Sequence, residues 1–73
     1  MIWNEKMTLT AILTQEDDGG YVALNPETGT TTQGDTLPEA LANLKEATEL
    51  YLEEFPLVAN SPSLMTTFEV AHA

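Results

Sequence analysis

Seventy-three residues make one domain at most, and a chain this short buries only about 60% of the surface its unfolded form exposes. Twelve acidic residues stand against two lysines and no arginine, giving a formal charge of −10, which excludes direct binding of nucleic acid and disfavours anionic membranes. With no cysteine there is neither a disulfide framework nor a thiolate metal site, and with no long apolar run there is neither a signal peptide nor a membrane span, so the expected compartment is the cytoplasm.

Residues 7–15 alternate: Met7, Leu9, Ala11 and Leu13 share one face and Thr8, Thr10 and Thr14 the other, with Ile12 as the exception. Period two with threonine enrichment predicts a half-buried strand. Trp3 has the parity of Met7, so it extends the inner face or packs at an edge or a subunit contact. Asp17-Asp18-Gly19-Gly20 is a hairpin signal, followed by a second strand over residues 21–25. Pro26-Glu27-Thr28-Gly29 marks another turn, and residues 30–33 form a third, short strand.

Thr36 is the expected N-cap of a helix, and Glu39 three positions on completes a capping box. Pro38 falls in the first turn, where its missing N–H costs nothing. Leu37, Leu41, Leu44, Thr48, Tyr51 and Phe55 then recur at steps of three and four, widened by Ala40, Ala47 and Leu52 into one apolar stripe. Pro56 ends the helix. A loop with two prolines leads to residues 64–71, where Leu64, Thr66, Phe68 and Val70 alternate with Met65, Thr67, Glu69 and Ala71, predicting a fourth strand.

The element order is therefore βββαβ. A right-handed crossover returns the last strand beside the first, so the expected fold is α+β, two layers: a four-stranded mixed sheet of order 3-2-1-4 with one helix on one face. That is a partial ribonuclease H-like topology in a single domain spanning residues 1–73.

The string Gly20-Tyr21-Val22-Ala23, Pro26, Gln33-Gly34-Asp35-Thr36, Glu39-Ala40, Asn43, Glu46-Ala47 and Tyr51-Leu52-Glu53 resembles the HicB family of type II toxin–antitoxin antitoxins. The resemblance implies the partial ribonuclease H fold of that family's N-terminal domain. It also implies the toxin-facing role, neutralising a small basic HicA-type mRNA interferase by direct protein contact. Family members usually append a DNA-binding domain. The chain stops at Ala73, directly after the fourth predicted strand, so no DNA-binding domain is expected.

No catalytic constellation accompanies this reading, and no cofactor or metal is expected. A two-metal nuclease needs carboxylates converging on ions about 3.5–4 Å apart. Glu16, Asp17 and Asp18 instead cluster at a hairpin tip, and Glu69 opposes the apolar parity of its strand. His72, the one imidazole, adjoins the terminus and is expected to be a poor base. The threonine runs are strand formers, or an edge that accepts a partner strand.

On the helix, Glu39, Glu46, Glu49 and Glu53 lie opposite the apolar stripe, with Lys45 as the one local counter-charge. Like-charged neighbours at these spacings each cost about 0.2–0.5 kcal/mol, and Glu53 and Glu54 meet the unfavourable end of the helix dipole. A basic partner relieves both. Leu50 projects among these glutamates, so Glu46, Glu49, Leu50 and Glu53 are the expected partner-binding residues. A thin core without staples favours self-association, so a homodimer or higher oligomer is expected. The alternative is a non-catalytic, self-associating accessory module of the same fold that binds another partner, such as a peptide strand.

Overall fold

The structure is a computed structural model, and it describes residues 7–57 and 62–72. Its elements run β1 (Ile12–Gln15), β2 (Tyr21–Asn25), β3 (Thr30–Gly34) and α1 (Leu37–Glu54). The strands form one antiparallel sheet in the order β1-β2-β3. Leu13 faces Ala23 across β1–β2, and Ala23 faces Thr32 across β2–β3. Cross-strand partners share a face, so this register puts Leu13, Ala23 and Thr32 in one row beneath the helix. Ile12, Val22 and Leu24 fall on the opposite face and are half-buried.

Each turn follows from its residues. Glu16 and Gly20 bracket a three-residue loop, with the Gly19 N–H donating to the Glu16 carbonyl at 3.0 Å and Gly19 at φ 97°. A type I turn followed by a left-handed residue closes such a hairpin, and glycine takes that conformation without a Cβ clash. In the β2–β3 turn the Gly29 N–H donates to the Asn25 carbonyl at 2.7 Å, and Gly29 is likewise left-handed, at φ 80°.

The helix begins as its sequence predicts. The Thr36 hydroxyl accepts from the Glu39 N–H at 3.2 Å, and Pro38 lies in the first turn. Glu39 reaches back one residue further than a standard capping box: its Oε1 accepts from the Asp35 N–H at 2.7 Å. At the other end Phe55 caps the helix, its N–H donating to the Tyr51 carbonyl, and the Tyr51 and Phe55 rings lie 5.0 Å apart.

The joint between β3 and α1 is closely packed. A Cβ added to Gly34 would lie 2.5 Å from the Ala40 nitrogen and 2.8 Å from its Cα. Two side chains lock this approach: the Thr32 hydroxyl donates to the Ala40 carbonyl at 3.1 Å, and Asn43 Nδ2 donates to the Gln33 carbonyl at 2.8 Å. The core built on it is small, with Ala23, Ala40 and Leu44 buried and Ala11 and Tyr21 packed against them.

Two expectations are corrected here. The fold is βββα, with a three-stranded, wholly antiparallel sheet. It is not the four-stranded mixed sheet of order 3-2-1-4, and the partial ribonuclease H topology does not hold. Residues 64–71 pair with nothing in the sheet; Leu64 and Phe68 are 100% and 85% exposed. Alternation reports that one face of a segment suits burial, but it does not supply the neighbouring strand. The helix stripe is also narrower than expected. Ala40, Leu44 and Thr48 are buried, whereas Leu37, Leu41, Tyr51 and Phe55 are exposed. The reason is placement: α1 lies mainly over β3 and β2 and only grazes β1, so one shoulder of the stripe has no sheet beneath it. Trp3 lies outside the described residues.

Candidate interaction surface

An α-helix turns about 100° per residue, so positions i, i+3, i+4 and i+7 form one continuous patch. Glu46, Glu49, Leu50 and Glu53 have this spacing, and all four are exposed on α1, with Leu50 59% exposed. The structure therefore brings the four expected residues together on one exposed helix surface, and Glu49 and Glu53 also border the groove between α1 and residues 7–11. Lys45 Nζ lies 2.8 Å from Glu49 Oε2, an exposed i,i+4 pair worth about 0.3–0.5 kcal/mol. No basic residue occupies the last helical turn, so Glu53 and Glu54 stand against the helix dipole without local compensation. The surface is an acidic patch with one apolar side chain.

A second polar centre, not anticipated from the sequence, lies at the opposite end of the sheet from the β1–β2 hairpin. Asn25 is 2% exposed and uses its full hydrogen-bonding capacity. Its Nδ2 donates to the Thr10 carbonyl at 2.8 Å and to Glu27 Oε1 at 2.6 Å, while its Oδ1 accepts from the Thr28 N–H and hydroxyl. Glu27 also accepts from the Thr10 N–H at 3.0 Å and the Ser63 N–H at 2.6 Å. The Thr10 hydroxyl lies 2.8 Å from Glu27 Oε2 and 3.0 Å from the Ser63 carbonyl, its one proton serving either acceptor.

Desolvation pushes the Glu27 carboxyl up, but the donors from Ser63 and Thr10 outweigh it and hold the group at about 2. The donors from Thr10, Ser63 and Asn25 are all neutral, so this is a carboxylate held by oriented dipoles and not by a cation. The network ties residue 10, the β2–β3 turn and residue 63 together, which makes it a structural clasp. Asn25 shares the parity of Tyr21 and Ala23 on β2, and a polar residue just before a turn gives no sequence sign that it is buried.

The residues considered for nuclease chemistry do not converge. Glu16, Asp17 and Asp18 stay at the exposed hairpin, and Glu69 lies on the exposed C-terminal segment. Among the described residues no group of three or more His, Asp or Glu side chains is placed to hold a metal ion. No helix among them is long and apolar enough to cross a membrane.

Residues 4–61 match the model of a family of unknown function, DUF7387. A UPF0150 protein of Helicobacter pylori is 36% identical over 73 residues, covering 92% of this chain and 100% of that protein. One of Synechocystis sp. is 50% identical over 50 residues, 67% of this chain and 69% of that protein. One of Thermoplasma acidophilum is 48% identical over 48 residues, 64% and 70% of the two chains. No solved structure matches the chain. With the greater part of its length matched by the family model and by whole-length similarity to such a relative, the chain belongs to the UPF0150 family, DUF7387.

Proposed function

We propose that this protein is a cytoplasmic, non-catalytic binding module of the HicB antitoxin type, which neutralises a small basic HicA-like mRNA interferase by direct contact. One observation carries the reading: Glu46, Glu49, Leu50 and Glu53 form a single exposed patch on α1 that is electrostatically unfavourable in the isolated protein. Like charges at neighbouring positions and anions at the helix C-terminus each cost a few tenths of a kcal/mol. A cationic partner converts those costs into attraction. The resemblance of the β2-to-α1 string to HicB antitoxins supplies the identity of that partner.

In this mechanism the acidic face acts first as a steering field, raising the association rate more than it slows dissociation. Leu50 then supplies the desolvated anchor at the centre of the contact. Exposed charges are screened over about 8 Å at physiological ionic strength, so binding weakens as salt rises.

The test is co-expression with the product of the adjacent gene, expected to be a small basic protein, followed by co-purification and growth rescue. Replacing Glu46, Glu49 and Glu53 together by glutamine is expected to stabilise the free protein slightly and to weaken the complex. Leu50→Ala is expected to leave folding unchanged and to speed dissociation. If the triple variant protects cells as well as the parent at physiological salt, the acidic patch is not the contact surface.

A further inference from the structure

Because α1 lies over β3 and β2, an open groove remains between the β1 side of the sheet and the helix. Met7, Leu9 and Ala11 line one wall, and Leu41, Thr48 and Leu52 line the other, with Lys45, Glu49 and Glu53 along the helix side. Its volume is about 1400 Å³, above the roughly 300–1,000 Å³ of small-molecule pockets, and its open side suits a length of chain. Thr48 is 6% exposed, and its hydroxyl is buried without a hydrogen-bond partner in the isolated chain. A buried, unpartnered hydroxyl in the wall of an apolar groove calls for a polar group from an occupant, such as a peptide unit.

The same chain carries a segment of matching character. Residues 62–72 are exposed throughout, with Met65 and Val70 61% and 70% exposed beside Leu64 and Phe68. Such a row of bare apolar side chains is a docking element more often than a solvated tail. Ser63 at its root is clasped by Glu27 and Thr10, and Thr10 itself lies at the groove. From that root the segment stays exposed to its last described residue. Charge also favours this segment as occupant: it holds one acidic residue, Glu69, and no lysine or arginine. It can therefore approach a chain of charge −10 with little repulsion.

We propose that the C-terminal arm, residues 62–72, of one copy docks in the groove between residues 7–11 and α1 of a second copy, and that the exchange is reciprocal. Each protomer contributes one arm and one groove, so the contact closes as a two-fold dimer. Two arm–groove contacts double the buried surface, towards the 1,200–2,000 Å² typical of stable interfaces, roughly. A peptide unit of the incoming arm satisfies the Thr48 hydroxyl, and Phe68 and Val70 leave water. The sheet of each protomer remains three-stranded before docking, and the inference needs no toxin, although Glu49 and Glu53 border both this groove and the acidic patch.

The experiment uses full-length chains in analytical ultracentrifugation, with circular dichroism as the check on folding. The parent is expected to be a dimer at high micromolar concentration. Phe68→Asp with Val70→Asp, and separately Leu41→Lys, are each expected to raise the dimer dissociation constant at least tenfold with unchanged helical signal. Mixing the two variants is expected to restore a dimer, because an aspartate-bearing arm then meets a lysine-bearing groove. A monomeric parent overturns the proposal, whether or not its arm amides are protected from exchange. A dimer that survives the double aspartate substitution overturns it too, pointing to the outer sheet face or to residues 1–6. Unfolding of the double aspartate variant also overturns it, because the arm would then belong to the protomer's own core.

Discussion

Gly34→Ala probes how closely the sheet and the helix are joined. The new Cβ would sit 2.5 Å from the Ala40 nitrogen, 2.8 Å from the Ala40 Cα and 3.0 Å from the Glu39 carbonyl carbon. All three are backbone atoms of a helix, so no side chain can swing aside. The first turn of α1 must back away by several tenths of an ångström at least, against hydrogen bonds from Thr32 and Asn43 that hold it to β3. Overpacking of this kind costs about 1–3 kcal/mol, and weakening two hydrogen bonds adds about 1 kcal/mol. The loss of glycine's unfolded-state freedom returns roughly 0.4–1 kcal/mol. The net expectation is a destabilisation of about 2–3 kcal/mol, a large share of a stability near 0.05–0.15 kcal/mol per residue, roughly.

Urea unfolding followed by circular dichroism, at fixed protein concentration, measures it. Gly29→Ala is the control, since nothing lies within 4 Å of its Cβ and only its φ of 80° resists substitution. That variant is expected to lose about 1 kcal/mol, most of it recovered by Gly29→Asn. No asparagine or serine recovers Gly34. If Gly34→Ala unfolds within about 0.5 kcal/mol of the parent, the joint is not sterically closed and the reasoning is wrong.

Glu27 makes an acid-sensitive contribution. Its folded value of about 2 lies below the ordinary 4.5, so the stability it supplies is complete above about pH 4.5 and is lost as the pH falls to about 2. Glu27→Gln is therefore expected to lower the urea midpoint at pH 7, with the gap to the parent closing across that window; a gap independent of pH would contradict the clasp. Thr36→Ala removes the hydroxyl that accepts from the Glu39 N–H, and thermal melts should show a loss of about 1 kcal/mol. Thr36→Asp should retain most of that stability, because its carboxylate accepts the same bond.

Local chemistry determined the elements of this protein. Thr36, Pro38 and Glu39 begin a helix wherever the chain places them, because they satisfy backbone groups within one turn. Asp18-Gly19 and Thr28-Gly29 likewise put left-handed positions at the hairpins; which face of β2 is buried, Ala23 and Asn25 rather than Val22 and Leu24, was decided by the helix above it. The sequence also showed that Glu46, Glu49, Leu50 and Glu53 share one helix face, since that follows from 3.6 residues per turn. Tertiary structure alone decided what each apolar face meets. Leu37 and Leu41 carry the periodicity of a core stripe yet remain exposed, because the close approach at Gly34 sets the helix over β3 and away from β1. The alternation over residues 64–71 is that of a strand, but pairing needs a neighbour at the right distance, and beyond Ser63, which Thr10 and Glu27 hold, the segment lies exposed without one. Periodicity is a property of one segment, whereas burial is a relation between two, and no pattern within a segment specifies its partner.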